Sequence, residues 1–115
     1  MEHHERKKEL EEIIKRYGEE TAEMTKNLVE NVIFLENRLC ELKKLPFLKM
    51  DESNPVRQKA TAASKQYKDV FQQYTNALKI LMGITKAEND DKESPLRVWA
   101  AEYKRYLQEG AGDEN

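Results

Sequence analysis

Two ladders of apolar residues at heptad spacing dominate this chain, and a short segment with a proline near each end separates them. The first ladder consists of Leu28, Val32, Leu35, Leu39 and Leu42, and the second of Ala60, Ala63, Tyr67, Val70, Tyr74, Ala77 and Leu81. Steps that alternate between three and four residues are typical of helices that pack along a coiled-coil seam. We therefore predict an all-α protein built on an antiparallel, coiled-coil-like helical hairpin.

Residues 46–55 are predicted to form the loop of this hairpin. Pro46 cannot continue the first helix, and Asn54-Pro55 is typical of a helix start, with Asn as N-cap and Pro at the first helical position. The apolar residues Phe47, Leu48 and Met50 are expected to cover the end of the hairpin or to contact another subunit.

Breaks in the pattern divide the chain into five segments. Gly18, Gly83 and Gly110 follow apolar runs and predict helix ends, while Ser94-Pro95 predicts a helix start. The segments are a charged N-terminal helix (1–18), the hairpin (19–83), an acidic linker (84–94), a C-terminal amphipathic helix (95–109) and a disordered tail (110–115).

The composition favours exposed helices over a thick enzyme core, with 38% hydrophobic and 37% charged residues in 115. An elongated hairpin of this size gains stability by pairing, so we expect a homo-oligomer. Cys40 is the single cysteine and excludes a disulfide framework. No apolar run approaches the roughly 20 residues of a membrane span, and no leader-like segment is visible, so a cytoplasmic protein is expected.

Familiar catalytic and metal-binding motifs are missing from the sequence. The chain has no glycine-rich phosphate loop, nucleophile elbow, CxxC pair or helical HExxH. His3 and His4 are adjacent and diverge on a helix, and Asp90, Asp91 and Glu93 lack the spacing of a calcium loop. We expect no enzyme activity, no metal and no cofactor.

Positive charge is concentrated on the second arm. Net charge is −2 for residues 1–45, +3 for residues 46–83 and −3 for residues 84–115. Side chains available to contact DNA phosphates are Arg6, Lys7, Lys8, Lys15, Arg16, Arg57, Lys59, Lys65 and Lys68. The alternative interpretation is an ordinary solvated coiled-coil face.

The C-terminal helix has an apolar face without a heptad ladder to match it. This face consists of Leu96, Trp99, Ala100, Tyr103 and Leu107. Leu96, Trp99, Tyr103 and Leu107 are candidate contacts to a partner, because aromatic residues often anchor interfaces; the hairpin itself and a neighbouring subunit are the other surfaces available.

The order of features in residues 13–84 resembles the small-subunit terminase family of tailed bacteriophages. The matching features are Tyr17-Gly18, the run LVENVIFLENRLCELKKL, and a second helix in SNPVRQKATAASKQYKDVFQQYTNALKILMGI. The resemblance implies a non-enzymatic subunit that oligomerises, binds double-stranded packaging-start DNA of the virus and presents it to the large terminase subunit in the cytoplasm of a bacterial host. Many relatives have an N-terminal helix-turn-helix, which residues 2–17 do not match.

Two other classes of protein compete with this hypothesis. A coiled-coil adaptor or scaffold that binds only protein partners is supported by the same ladders, the low net charge and the apolar C-terminal helix. A small transcriptional regulator would require a recognition helix, and the sequence contains no candidate for one.

Overall fold

The structure is a computed structural model that describes residues 2–46, 48–51, 54–86 and 94–109, with side chains omitted for 48–51 and 54–60. These ranges contain five helices and one short β-hairpin. The elements are α1 (His3–Lys15), α2 (Glu19–Met24), α3 (Lys26–Lys43), β1 (Leu48–Asp51), β2 (Asn54–Ala60), α4 (Ala62–Thr85) and α5 (Pro95–Gln108). The helical fold class predicted from the ladders is therefore confirmed.

Gly18 separates the first two helices, as predicted. Its φ of 113° lies in the region that favours glycine, so the chain changes direction here without steric strain. The first arm of the predicted hairpin, which starts after Gly18, is divided into α2 and α3 at Thr25, which is fully buried. Its hydroxyl donates to the Thr21 carbonyl at 2.8 Å, which satisfies the backbone at the break between α2 and α3.

The structure corrects the predicted loop and the start of the second long helix. Asn54-Pro55 does not begin a helix but lies at the start of β2, which pairs antiparallel with β1. Proline is tolerated at the start of an edge strand, so the same dipeptide suits either element. Helix α4 begins at Ala62, where the Thr61 hydroxyl accepts a hydrogen bond from the Ser64 amide at 3.2 Å.

The C-terminal end of α4 differs from the prediction, whereas the start of α5 agrees with it. Helix α4 continues through Gly83 to Thr85, and Lys86 takes the left-handed conformation that ends it. Thr85 is buried and donates to the Leu81 carbonyl at 2.9 Å, which favours the extra turn. Helix α5 begins at Pro95 with Ser94 as its N-cap, as predicted.

The most extensive contact between helices joins α3 and α4. Bonded pairs along them run in opposite chain order: Pro46 with Thr61, Arg38 with Gln66, and Glu36 with Tyr74. Helix α1 packs on α3, and α5 packs on both α1 and α3. The shared core contains Leu10, Ile14, Val29, Val32, Ile33, Leu35, Leu39, Tyr74, Ala77, Leu78, Leu81, Leu96, Trp99, Ala100, Tyr103 and Leu107.

The acidic residues Asp90, Asp91 and Glu93, Phe47 of the predicted apolar cover, and the proposed tail from Gly110 onwards lie outside the described residues. None of the described helices combines the length and apolarity that crossing a bilayer requires.

Candidate functional site

A buried ion pair joins the N-terminal helix to α3. Arg6 Nε donates to Glu36 Oε1 at 3.1 Å and Arg6 Nη2 donates to Glu36 Oε2 at 2.7 Å, while the two residues are 2% and 0% exposed. Such a two-point contact fits the planar guanidinium to the carboxylate. Burial raises the pKa of the Glu36 carboxyl, and the hydrogen bonds and charge of Arg6 oppose that rise.

Aromatic residues of α4 and α5 complete this arrangement, which we call the Arg6 cluster (His3, Arg6, Glu36, Tyr74, Trp99 and Tyr103). The Tyr74 hydroxyl donates to Glu36 Oε2 at 2.6 Å, and the Tyr103 hydroxyl donates to the Glu36 carbonyl at 2.7 Å. Burial raises the pKa of both tyrosines, with the Glu36 charge adding to the effect, so both hydroxyls keep their protons.

Trp99 encloses Arg6 from the side of α5. The guanidinium carbon lies 3.9 Å from the Trp99 ring centroid, a cation–π distance, and Arg6 Nη1 donates to the Trp99 carbonyl at 3.0 Å. On the outer side of the cluster, His3 Nε2 lies 2.9 Å from the Tyr103 hydroxyl oxygen. Since that hydroxyl donates to Glu36, His3 acts as the donor in this contact.

The Arg6 cluster connects α1, α3, α4 and α5, and its buried polar atoms already have hydrogen-bond partners within the chain. Among the described residues, every buried side-chain nitrogen and oxygen has a hydrogen-bond partner. Its charged groups are saturated and closed to solvent, so they fix helix positions and are not placed to act on a substrate. Within the same ranges, no group of three His, Cys, Asp or Glu side chains is arranged to hold a metal.

The cluster corrects two predictions. Arg6 was a candidate DNA contact, but it is buried against Glu36 and Trp99 and cannot reach phosphate. Helix α5 was expected to offer its apolar face to a partner, but Leu96, Trp99, Tyr103 and Leu107 are all buried in the chain's own core. The apolar face of α5 therefore packs on the other helices of its own chain.

The predicted seam residues lie between or beside α3 and α4. Buried positions are Val32, Leu35, Leu39, Leu42, Tyr74 and Leu81, and partly buried ones are Leu28, Ala63, Tyr67 and Val70. The seam omitted Val29, Ile33 and Leu78, which are also buried. Helix α3 therefore packs on more than one neighbour.

The remaining candidate DNA contacts fall into three groups. Lys8, Lys15, Arg16, Lys65 and Lys68 are exposed, and Lys7 is partly exposed. Arg57 and Lys59 lie on β2, where the structure describes the backbone alone. On α1 the basic side chains alternate with Glu5, Glu9, Glu11 and Glu12, which cancels their charge.

Positive charge collects where α3 ends and α4 begins. Residues 43–69 contain seven basic and three acidic residues, a net charge of +4, and the rest of the chain contains 13 basic and 19 acidic residues, a net charge of −6. The Thr61 hydroxyl donates to the Pro46 carbonyl at 2.6 Å, so the residues that flank the β-hairpin, after α3 and before α4, are close together. We call residues 43–69 the basic end.

Two surface grooves lie away from the basic end. A groove of about 580 Å³ between α1, α2 and α3 is lined by Lys7, Glu11, Ile14, Lys15, Glu19, Ala22, Glu23, Lys26, Val29 and Glu30. A smaller one of about 270 Å³ lies between α1 and α5. The larger groove mixes lysines and glutamates, so its charge does not select one class of ligand.

Comparison of the chain with models of known protein families, with curated proteins and with solved structures finds no match in any of the three.

Proposed function

We propose that this chain is a non-enzymatic small terminase subunit of a tailed bacteriophage. In this role it assembles with copies of itself, binds packaging-start DNA and delivers that DNA to the large subunit, which supplies ATPase and nuclease activity. The proposal rests on the resemblance in residues 13–84, and the observation that supports it further is the uneven charge along the sequence, with +4 in residues 43–69 and −6 in the remainder.

Charge separation favours DNA binding because the negative phosphates of a duplex attract the positive end of the chain. A uniformly acidic chain would be repelled by phosphates, whereas a chain with one positive end is oriented by them during approach. Lys65 and Lys68 are exposed in the first two turns of α4, and among the side chains that the structure describes neither has a carboxylate within salt-bridge distance. They are the described side chains best placed for phosphate contact.

Self-assembly gives these weak contacts their strength. Several subunits that each touch a few phosphates bind one duplex far more tightly than a single subunit does. Two large apolar side chains on the α3 and α4 surfaces are available for assembly: Phe34 is 63% exposed and Ile80 is 55% exposed. We include them in the subunit interface, and we assign the assembly to the cytoplasm of the bacterial host.

The competing adaptor hypothesis has lost one of its supports. It used the apolar face of α5 as a docking surface for a protein partner, and that face is buried in the core of the chain. Contact with the large terminase subunit must therefore use other residues, such as the exposed side of α5 around Val98, which is 42% exposed.

Gel-shift titration of the purified protein against duplex DNA from the packaging region tests the function. Binding should weaken about 10³-fold or more between 50 and 200 mM salt if an assembly covers six or more phosphates. The Lys65→Gln/Lys68→Gln variant should bind more weakly and with a shallower salt slope.

The matched control is Lys26→Gln/Lys79→Gln, which removes two exposed lysines outside the basic end. It should bind like the unmodified protein. Binding that does not respond to salt, or equal losses in both variants, would contradict the proposal, and so would the lack of any shift.

A further inference from the structure

We infer that one side of the α3–α4 pair docks against the same side of a second copy of this chain, in a two-fold antiparallel dimer with one basic end at each pole. This step rests on the proposed function, which requires self-assembly but leaves the symmetry and the direction of the contact open. The docking surface, which we call the open face, consists of Asn31, Phe34, Arg38, Gln66, Gln73, Ile80 and Ile84.

A hydrogen bond between the two helices places the members of the open face on one side of the pair. Arg38 Nη2 donates to Gln66 Oε1 at 3.2 Å. Phe34 precedes Arg38 by about one helical turn on α3. On α4, Gln73 and Ile80 follow Gln66 at steps of seven residues. Residues four or seven apart share a face of a helix, so these side chains line the same side.

The open face is turned away from α1 and α5. Phe34 and Glu36 are two residues apart, which places their side chains about 200° apart around α3. Glu36 binds Arg6 of α1 in the buried cluster that α5 encloses. The opposite side of the α3–α4 pair therefore lacks this cover, and Phe34, Ile80 and Ile84 are 63%, 55% and 41% exposed.

The open face carries little net charge. Arg38 Nη1 lies 3.3 Å from Glu41 Oε2, so its charge is balanced on its own helix. The other members of the face are amides and large apolar side chains. The cores of protein interfaces are depleted of charge in the same way. A neutral face of this kind suits a protein surface of the same composition and does not suit a nucleic acid.

The size of the open face matches what a stable dimer requires. Helix α3 has 18 residues and is about 27 Å long, and two helices side by side are about 20 Å wide. Contact over this area buries about 540 Å² on each copy and about 1,100 Å² in total, which exceeds the ~1,000 Å² expected of a specific interface. A two-fold dimer uses the same patch on both subunits, so a second copy covers the whole face.

Charge sets the direction in which the two copies dock. A parallel dimer would place two basic ends side by side, each with a net charge of +4, and these would repel each other. In the antiparallel dimer each basic end lies beside the other end of its partner, where α2 carries Glu19, Glu20 and Glu23 and no basic residue. Each helix of the pair then packs on an antiparallel neighbour, as in a four-helix bundle.

The two-fold axis passes near Phe34 and Gln73. Phe34 lies at the middle of α3, and the bonded pairs between α3 and α4 place Gln73 at the same level on α4. In the antiparallel dimer α4 packs on α4 of the partner, so Gln73 meets its own copy. Gln66 and Ile80 are each seven residues from Gln73, so Gln66 of one subunit meets Ile80 of the other.

Disulfide formation between introduced cysteines tests this geometry. The starting protein is Cys40→Ala, which lacks the single native thiol. In that background Gln73→Cys should form a linked dimer on mild oxidation, at least about 10-fold above the level in Lys8→Cys, because contact raises the effective concentration of the two thiols. Lys8→Cys is the matched control, since Lys8 is exposed on α1 and lies outside the open face.

A mixture of two variants tests the direction. Gln66→Cys and Ile80→Cys should each stay unlinked alone and should form a disulfide when they are mixed. A parallel dimer would instead link Phe34→Cys to Gln73→Cys in a mixture and leave the first two variants unlinked, and this result would overturn the antiparallel arrangement. Circular dichroism confirms that each variant keeps its helices.

Light scattering and DNA binding separate this dimer from the proposed function. The mass of the unmodified protein should be an even multiple of 13.5 kDa. A monomeric mass would overturn the dimer, because a different partner would then have to cover the open face, and so would equal linking of Lys8→Cys and Gln73→Cys. Expected disulfides in a protein that does not bind duplex DNA would retain the dimer and overturn the proposed function. Salt-dependent DNA binding without these disulfides would do the reverse.

Discussion

Arg6 and Trp99 are joined by two hydrogen bonds that run in opposite directions between α1 and α5. Arg6 Nη1 donates to the Trp99 carbonyl at 3.0 Å, and Trp99 Nε1 donates to the Arg6 carbonyl at 3.2 Å. The residues are 93 positions apart, so this contact couples the first helix to the last.

Removing the charge of Arg6 should lower the free energy of unfolding. Arg6→Met leaves the Glu36 carboxylate buried without its partner, which costs about 3–5 kcal/mol. Arg6→Met/Glu36→Gln should recover part of that loss, because the neutral amide still accepts from the Tyr74 hydroxyl. Urea unfolding measures both free energies. Lys8→Met, at an exposed position of the same helix, should change stability by less than about 0.5 kcal/mol.

Trp99 is the only tryptophan of the chain and reports on α5 directly. Because its side chain is 2% exposed, acrylamide should quench its fluorescence far less than that of a free tryptophan derivative. Quenching should rise to the free value in denaturant, together with the loss of helical circular dichroism. Quenching near the free value in the native protein would show that α5 is detached from the core.

Phe34 and Ile80 should control assembly without controlling the fold. Phe34→Asp places a charge on an exposed site of α3, so the chain should stay folded while the mass from light scattering falls towards that of a monomer. Val98→Asp makes the same kind of change on α5 and serves as the control, with its mass expected to stay unchanged. A monomeric unmodified protein, or a Phe34→Asp variant with full mass, would argue against this interface.

His3 should make the fold less stable in mild acid. Burial lowers the pKa of His3 from 6.5, and the nearby positive charges of Arg6 and Lys44 act in the same direction, while Glu41 opposes them. The unfolded chain then binds more protons than the folded one between the lowered pKa and 6.5, so stability rises with pH across that window and levels off above it.

Urea titrations of the unmodified protein and of His3→Gln at several pH values measure this effect. The difference between the two proteins isolates His3, because the raised pKa of Glu36 acts on both and has the opposite slope. A difference that does not vary with pH below 6.5 would contradict the prediction.

The ladders predicted the helical fold class because apolar spacing follows directly from helix geometry. Val32, Leu39 and Leu81 of the ladders are buried in the structure, and Ser94 is the N-cap of α5. The β-hairpin was missed because Asn-Pro suits a helix start and the beginning of an edge strand equally, and the choice between them depends on contacts such as that of Thr61 with Pro46.

The sequence indicates only one member of the buried ion pair in the Arg6 cluster. Val29, Ile33 and Glu36 step by four and three beside the main ladder, which marks Glu36 as a charged residue on an inward face of α3. Nothing in the pattern identifies Arg6 as its partner, because α1 contains several basic residues and the pairing depends on how helices 30 residues apart are packed.

The contacts between Arg6, Glu36 and Trp99 also set an order of events during synthesis. Until α5 has left the ribosome, the nascent chain lacks the indole and the backbone carbonyl that enclose the guanidinium, and Tyr74 lacks the Tyr103 ring beside it. Contacts so distant along the chain form late. A polypeptide that ends before residue 99 would thus expose aggregation-prone apolar surface. It would be a substrate for chaperones and proteases and not a shorter functional protein.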